Sequence, residues 1–144
     1  MANVTIQSWS ETYFVQGKEL LRQLGYELTD EALRNNLALI DDSPHDWIYL
    51  AIADDQAVGL MHVKRQIQIH TPVRLEVVAL VVSDAHRGSG VGKILLNQAD
   101  KLAQEMGLPE IVLHSSQKRV EAHGFYQNYG YQNVKTSYWF SRNP

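Results

Sequence analysis

A mixed α+β fold is what this sequence predicts: a mostly antiparallel sheet of about seven strands with one parallel βαβ crossover, flanked by about four helices. Three observations carry that expectation. The segments read in the order β-α-α-β-β-β-α-β-α-β-β, which is not the strict alternation of a doubly wound sheet. A strand, a helix and a strand follow one another between residues 74 and 114, which implies a parallel crossover. No repeat, low-complexity tract or Pro/Gly/Ser-rich linker divides the 144 residues, so residues 1–144 read as a single domain.

Val4 to Gln7 is short and alternating, a first strand. From Glu11 to Leu24, Tyr13/Phe14, Leu20/Leu21 and Leu24 recur at helical spacing, and Gly25 supplies the stop. Thr29-Asp30-Glu31-Ala32 opens a second helix to about Asp41, its acids facing the positive end of the dipole. Trp47 to Ala53 and Ala57 to Ile69 form a hairpin across Asp54-Asp55-Gln56, and Thr71-Pro72 breaks it before a strand from Arg74 to Val82. Ser89 to Met106 is the clearest helix, with Val91, Leu95, Ala99, Leu102 and Met106 on one face and Gly107 at its end. Ile111 to His114 is a short strand, and Lys118 to Tyr129 a helix stopped by Gly130. Tyr131 to Val134 and Ser137 to Phe140 pattern as two last strands.

Composition narrows the function classes. With 44% hydrophobic and 20% charged residues the chain is of globular type. A net charge of -3 lacks the basic excess of a nucleic-acid binder. Cysteine is absent, which removes disulfides, thiolate nucleophiles and cysteine-ligated zinc. The N-terminus has no basic and apolar signal pattern, and the longest apolar run, Val77 to Val82, is far short of a membrane span. No membrane partner and a cytoplasmic location are the expectations. His45, His62, His70, His86, His114 and His123 are scattered without ligand spacing, so no metal is expected. His114, at a strand end, is a candidate to line a cleft.

The chemistry-bearing segment is Arg87-Gly88-Ser89-Gly90-Val91-Gly92-Lys93, at a strand-to-helix junction. The first N–H groups of a helix lack internal partners and carry the positive dipole end. Glycines let that backbone curl around an anion, and Arg87 and Lys93 add charge; pyrophosphate is the natural guest. A Walker A loop fails here, with Arg87 in place of its first glycine and Ile94 in place of its Ser/Thr. The Gly-x-Gly-x-x-Gly dinucleotide fingerprint fails too, its last place holding Lys93 or Leu95 according to register. What survives is Arg-x-x-Gly-x-Gly on Arg87, Gly90 and Gly92. The plain alternative, a tight turn capped by Ser89, is disfavoured by three glycines in so short a stretch.

In this turn, and in Ala122-His123-Gly124-Phe125-Tyr126 followed by Tyr129-Gly130-Tyr131, the chain resembles the GNAT superfamily of acetyl-CoA-dependent N-acyltransferases. The resemblance extends in element order from Val4 to Phe140. It implies acetyl-CoA as co-substrate, with Arg87, Gly88, Ser89, Gly90, Val91, Gly92 and Lys93 around its pyrophosphate. It also implies that backbone groups of Leu80, Val81 and Val82 pair with the pantetheine arm on a strand that splays from its parallel neighbour. Glu76, six residues before Val82, matches a catalytic glutamate of the superfamily and is placed on the face of Leu80 and Val82; an ion pair with Arg74, or a water relay as base, stay open. Tyr126 matches the tyrosine that protonates the leaving thiolate, against plain packing on the sheet. Where many members carry asparagine, this chain has Arg119, either a phosphate contact or a solvated helix-start residue. Ser115 or Ser116 is the substitute for the asparagine's amide contact.

The implied activity is acetyl transfer to a primary amine of a small molecule or peptide by direct attack in a ternary complex. A coenzyme-A-binding regulatory or degenerate module without turnover is the alternative. For the acceptor, Tyr13, Trp47, Tyr49, Tyr138 and Trp139 offer aromatic surface, while Asp41, Asp42 and Asp46 would attract a cation. Homodimers involving the C-terminal strands are common among relatives, so a homodimer is a further expectation.

Overall fold

The computed structural model describes residues 3–115 and 119–144. They fall into two compact units, residues 1–114 and 115–144. The first holds a five-stranded sheet in the order β1-β2-β3-β4-β5, with β1 Val4–Ser8, β2 Asp46–Ala53, β3 Gln56–Gln66, β4 Arg74–Val82 and β5 Ile111–Leu113. All neighbours are antiparallel except β4 and β5, which are parallel across the single helical crossover. The mixed α+β class thus stands, with five strands in place of about seven. Residues 131–144 form no strand. A strand exists only by pairing, and the apolar residues there (Val134, Tyr138, Trp139 and Phe140) stay exposed.

The helices are α1 Phe14–Leu24, entered by a 3-10 turn Glu11–Tyr13, α2 Asp30–Asp41, α3 Val91–Glu105 and, in the second unit, α4 Val120–Tyr129. Their ends follow local chemistry. Thr29 Oγ1 accepts from Ala32 N at 3.1 Å as the N-cap of α2. Gly25 ends α1 at φ 116° and Gly130 ends α4 at φ 119°, left-handed values that suit glycine. Asp54 and Asp55 both take positive φ, making the two-residue turn whose twist suits the β2–β3 hairpin. Among the described residues no helix is long and apolar enough to cross a membrane.

The two sheet faces have different covers. One carries Leu50, Leu60 and Val81, clustered with Leu20 of α1, Ile52 and Ala57, with Trp9, Tyr13 and Ile48 against them. The other carries Gly59, whose missing side chain lets α3 approach: a Cβ there would meet Val91 Cγ1 at 2.9 Å and Leu95 Cδ1 at 3.0 Å. Burial of Leu95, Leu96 and Ala99 anchors α3 on that face and fixes where its first turn lies.

Two bulges set which residues share a face. In β3 and β4 the pairs Val63↔Val77 and His62↔Ala79 leave Val78 as an extra residue. Beyond it the alternation of β4 inverts. Glu76 pairs with Lys64, and Leu80 and Val82 with Met61 and Gly59, so Glu76 lies on the α1 face while Leu80 and Val82 lie on the α3 face. The simple two-residue periodicity that put these three on one face is overturned by that single inserted residue.

Candidate active site

The α1 face changes character along the strands. The cross-strand set Leu50–Leu60–Val81 is apolar, Ile48–His62–Ala79 is mixed, and Asp46–Lys64–Glu76 is fully charged. The charged end opens into a cavity of about 310 Å³ lined by Ser43, His45, Asp46, Lys64, Gln66 and Glu76, among others. Its aromatic content differs from expectation. Trp47 and Tyr49 pair with Val63 and Met61 and so lie on the α3 face, and Tyr13 packs into the α1 cluster. The wall is hydrogen-bonding and ionic instead.

Glu76 is held by its neighbours. The buried Gln66 amide donates from Nε2 to Glu76 Oε1 at 3.1 Å, while its Oε1 accepts from Arg74 Nε at 2.5 Å. Arg74 also binds Glu110 at 2.9 Å. The guanidinium is therefore engaged by Gln66 and Glu110, and the Arg74–Glu76 ion pair considered from the sequence is not how Arg74 is used. The second Glu76 oxygen, Oε2, lies 3.6 Å from His114 Nδ1. With its side chain 16% exposed, Glu76 is shielded yet open to the cavity.

Asp46 anchors the other wall. Its carboxylate accepts from Ser43 Oγ at 2.7 Å and meets His62 Nε2 at 2.7 Å. Burial alone would raise its pKa, but the Ser43 and His62 hydrogen bonds outweigh that and hold it below the ordinary aspartate value. A depressed carboxyl stabilises the fold above its unfolded pKa and loses that contribution as pH falls through the folded one. Asp46→Ala is therefore expected to cost about 2 kcal/mol in urea unfolding at pH 7. The gap between variant and parent should close below about pH 3.8, the ordinary value. An equal gap at pH 7 and pH 3 would count against this account.

The second cluster of sequence-flagged residues lies where β4 runs into α3. The parallel ladder to β5 covers only Leu75, Glu76 and Val77, while the pairing with β3 continues to Val82. Alternate backbone groups of the stretch to Val82 thus face an edge with no strand among the described residues. A 3-10 turn, Asp84–His86, then leads to Gly88 and Gly90 at φ 79° and 90°. Gly90 is the N-cap of α3 and offers no side chain to its free N–H groups. A Cβ at either glycine would stand in open space. A helix start without a side-chain cap leaves its first N–H groups available, which fits a pyrophosphate group.

Two side chains there are engaged within the protein. Ser89 does not cap the helix; its Oγ donates to the His86 carbonyl. Arg87 is paired with Asp84 at 2.9 Å, both exposed, so part of its charge is already balanced. Lys93 is exposed, and Val91 and Gly92 are buried at the first turn. The cradle is therefore chiefly a backbone device.

Ser115, Arg119 and Tyr126 belong to the second unit. Ser115 Oγ is buried without a hydrogen-bond partner. Ser116 lies outside the described residues. Arg119 is the exposed residue at the start of α4. Tyr126 packs on Phe125 and Tyr131, ring centroids 5.4 and 6.2 Å apart. Burial pushes its phenol pKa above the usual tyrosine value, and the Arg119 charge opposes that push. Among the described residues no group of three or more His, Asp or Glu is placed to hold a metal ion.

Known proteins agree with this picture. The profile described as the acetyltransferase (GNAT) family matches residues 5–131. An aminoalkylphosphonate N-acetyltransferase of Salmonella typhimurium is 32% identical over 117 residues, 79% of this chain and 73% of that protein. Human N-acetyltransferase 8B is 33% identical over 66 residues, but the match spans only 46% of this chain and 29% of the human protein. Among solved structures, aminoglycoside N-acetyltransferase AAC(6')-Iy in complex with CoA superimposes with a TM-score of 0.88 at 18% identity, covering 100% of this chain and 97% of that one. The fold and the family profile define an enzyme of the acyltransferase class. The chain belongs to the acetyltransferase (GNAT) family.

Proposed function

We propose that this protein transfers an acetyl group from acetyl-CoA to a primary amine of a small molecule or peptide by direct attack in a ternary complex. One observation carries the reading: β4 presents Glu76 to a polar cavity on one face and then, past the bulge, runs unpaired on its β5 side into the Gly88–Gly90 cradle. A single strand thereby joins an acceptor pocket to a carrier groove.

When bound, acetyl-CoA supplies an activated thioester carbonyl. The free backbone groups of Leu80, Val81 and Val82 hold the carrier arm, and the N–H groups from Val91 to Lys93 hold its pyrophosphate. Ser115, with its unpartnered Oγ, and Arg119 are assigned to further carrier contacts. An alkylamine of pKa about 10 arrives mostly as ammonium, so a base is needed; Glu76 takes that proton. Tyr126, its pKa raised by burial, stays protonated at neutral pH, gives its Oη proton to the departing sulfur and regains one from the nitrogen that becomes the amide.

The acceptor wall of Ser43, His45, Asp46, Lys64 and Gln66 suits a hydrophilic amine better than an aromatic one. The relatives named for aminoalkylphosphonates and aminoglycosides lend weight to a small polar acceptor. The test is thiol release from acetyl-CoA with 2-aminoethylphosphonate, kanamycin, spermidine and a lysine peptide. Release that depends on at least one amine is the expected result. Tight coenzyme A binding with no release from any of them would favour a binding module without turnover.

A further inference from the structure

We propose that His114 is the proton outlet of Glu76, a relay between the buried base and solvent; the inference rests on Glu76 acting as the base. The stoichiometry requires an outlet. An ammonium acceptor and a thioester yield an amide, a free thiol and one proton, and that proton must leave a pocket whose base is only 16% exposed. The geometry supplies an exit through a neighbouring side chain. Glu76 Oε1 is occupied by the Gln66 amide at 3.1 Å, and that amide is itself fixed by Arg74. The other oxygen, Oε2, faces His114 Nδ1 at 3.6 Å, and the His114 side chain is 65% exposed. At 3.6 Å there is no hydrogen bond in the free protein, but a small side-chain rotation closes one, and such contacts tighten when substrate is bound.

The remaining charged groups around the pair do not offer this exit. Lys64 faces Glu76 across the strands and lines the same cavity, so it does not lead away from it. Asp46 is committed to Ser43 and His62. Arg74 and Glu110 bind one another. His45 lies on the cavity wall. His114 joins Glu76 to the outside on the side away from these groups.

The steps balance. The ammonium N–H bond breaks and its proton forms an O–H bond on Glu76. The Glu76 O–H then breaks as Nδ1 of the neutral imidazole takes the proton, restoring the carboxylate. The imidazolium loses a proton from Nε2 to water, and exchange with solvent through the exposed ring resets the starting tautomer. His114 is not among the residues that line the cavity, so it acts through Glu76 as a positioning and relay residue.

The experiment measures amine-dependent thiol release by the parent protein, His114→Ala and His114→Asn, with the amine panel above, between pH 6 and 9. We expect kcat to fall about 10- to 100-fold in both variants, with KM for acetyl-CoA and the melting temperature nearly unchanged. The acidic limb of the rate profile should move, and added imidazole should restore His114→Ala in proportion to its free-base concentration. Parent-like rates in both variants, or a slow His114→Ala that imidazole does not rescue and whose pH limb is unmoved, would overturn the relay alone. An inactive parent protein would instead sink the acetyltransferase reading beneath it.

Discussion

Gly90→Glu should lower the affinity for coenzyme A at least 100-fold, about 2.7 kcal/mol, and leave the protein folded. Two effects add. Gly90 has φ 90°, a conformation that strains any residue with a Cβ. Its Cβ would also project into the open space that the uncapped first turn of α3 faces, bringing a carboxylate to the place where a pyrophosphate is to bind. Like charges a few ångströms apart in a backbone-lined hollow repel by several kcal/mol before screening. Among the described residues, its chain neighbours aside, nothing lies within 4 Å of that Cβ, so no packing contact there is displaced. Calorimetric titration with coenzyme A reads the affinity, and a thermal melt checks the fold. Gly90→Ala, which adds strain without charge, should fall between parent and Gly90→Glu. An unchanged affinity in a folded Gly90→Glu protein would remove the cradle assignment.

How the site reads from sequence depends on which kind of signal each part emits. The glycine turn that starts α3 was legible because glycine content, a preceding strand and a strongly amphipathic helix sit within one short stretch. Thr29, Gly25 and Gly130 marked helix ends for similarly local reasons. The bulge at Val78 was not legible. Val77-Val78-Ala79-Leu80-Val81-Val82 is one apolar run packed on both faces, so no alternation exists in which an extra residue would show. The face of Glu76 was assigned wrongly for that reason, and only the register with β3 reveals it. The polar cavity wall was hidden differently. Asp46, His62, Lys64, Gln66 and Glu76 come from three strands, and they form one cluster only through hairpin pairing that no single segment encodes. Aromatic residues drew attention there because they are large, but Trp47 and Tyr49 fall on alternate positions and turn to the other face. Tyr131 to Phe140 carries a strand-like pattern, yet pattern is only a tendency until another strand accepts its hydrogen bonds.

Glu76→Gln is the second decisive variant, expected to cut kcat/KM for the acceptor about 100- to 1000-fold near pH 7 while coenzyme A binds as before. The substitution keeps size, and its carbonyl oxygen still accepts from Gln66 Nε2, so the pocket wall holds. What disappears is a group able to take the ammonium proton. The deficit should depend on pH in a defined direction. As pH rises toward the amine pKa of about 10, solvent supplies free amine and the base becomes redundant. The variant rate should climb by up to tenfold per pH unit, and the ratio of parent to variant should shrink between pH 7 and pH 9.5. Tyr126 does not obscure that window, because burial pushes its pKa upward and keeps the phenol protonated through it. Stopped-flow thiol release at saturating acetyl-CoA measures both limbs. A ratio that stays large and flat with pH would mean that Glu76 positions the acceptor without deprotonating it. Full activity at pH 7 would hand the role to water, and the charged set Asp46–Lys64–Glu76 would then serve recognition of the amine alone.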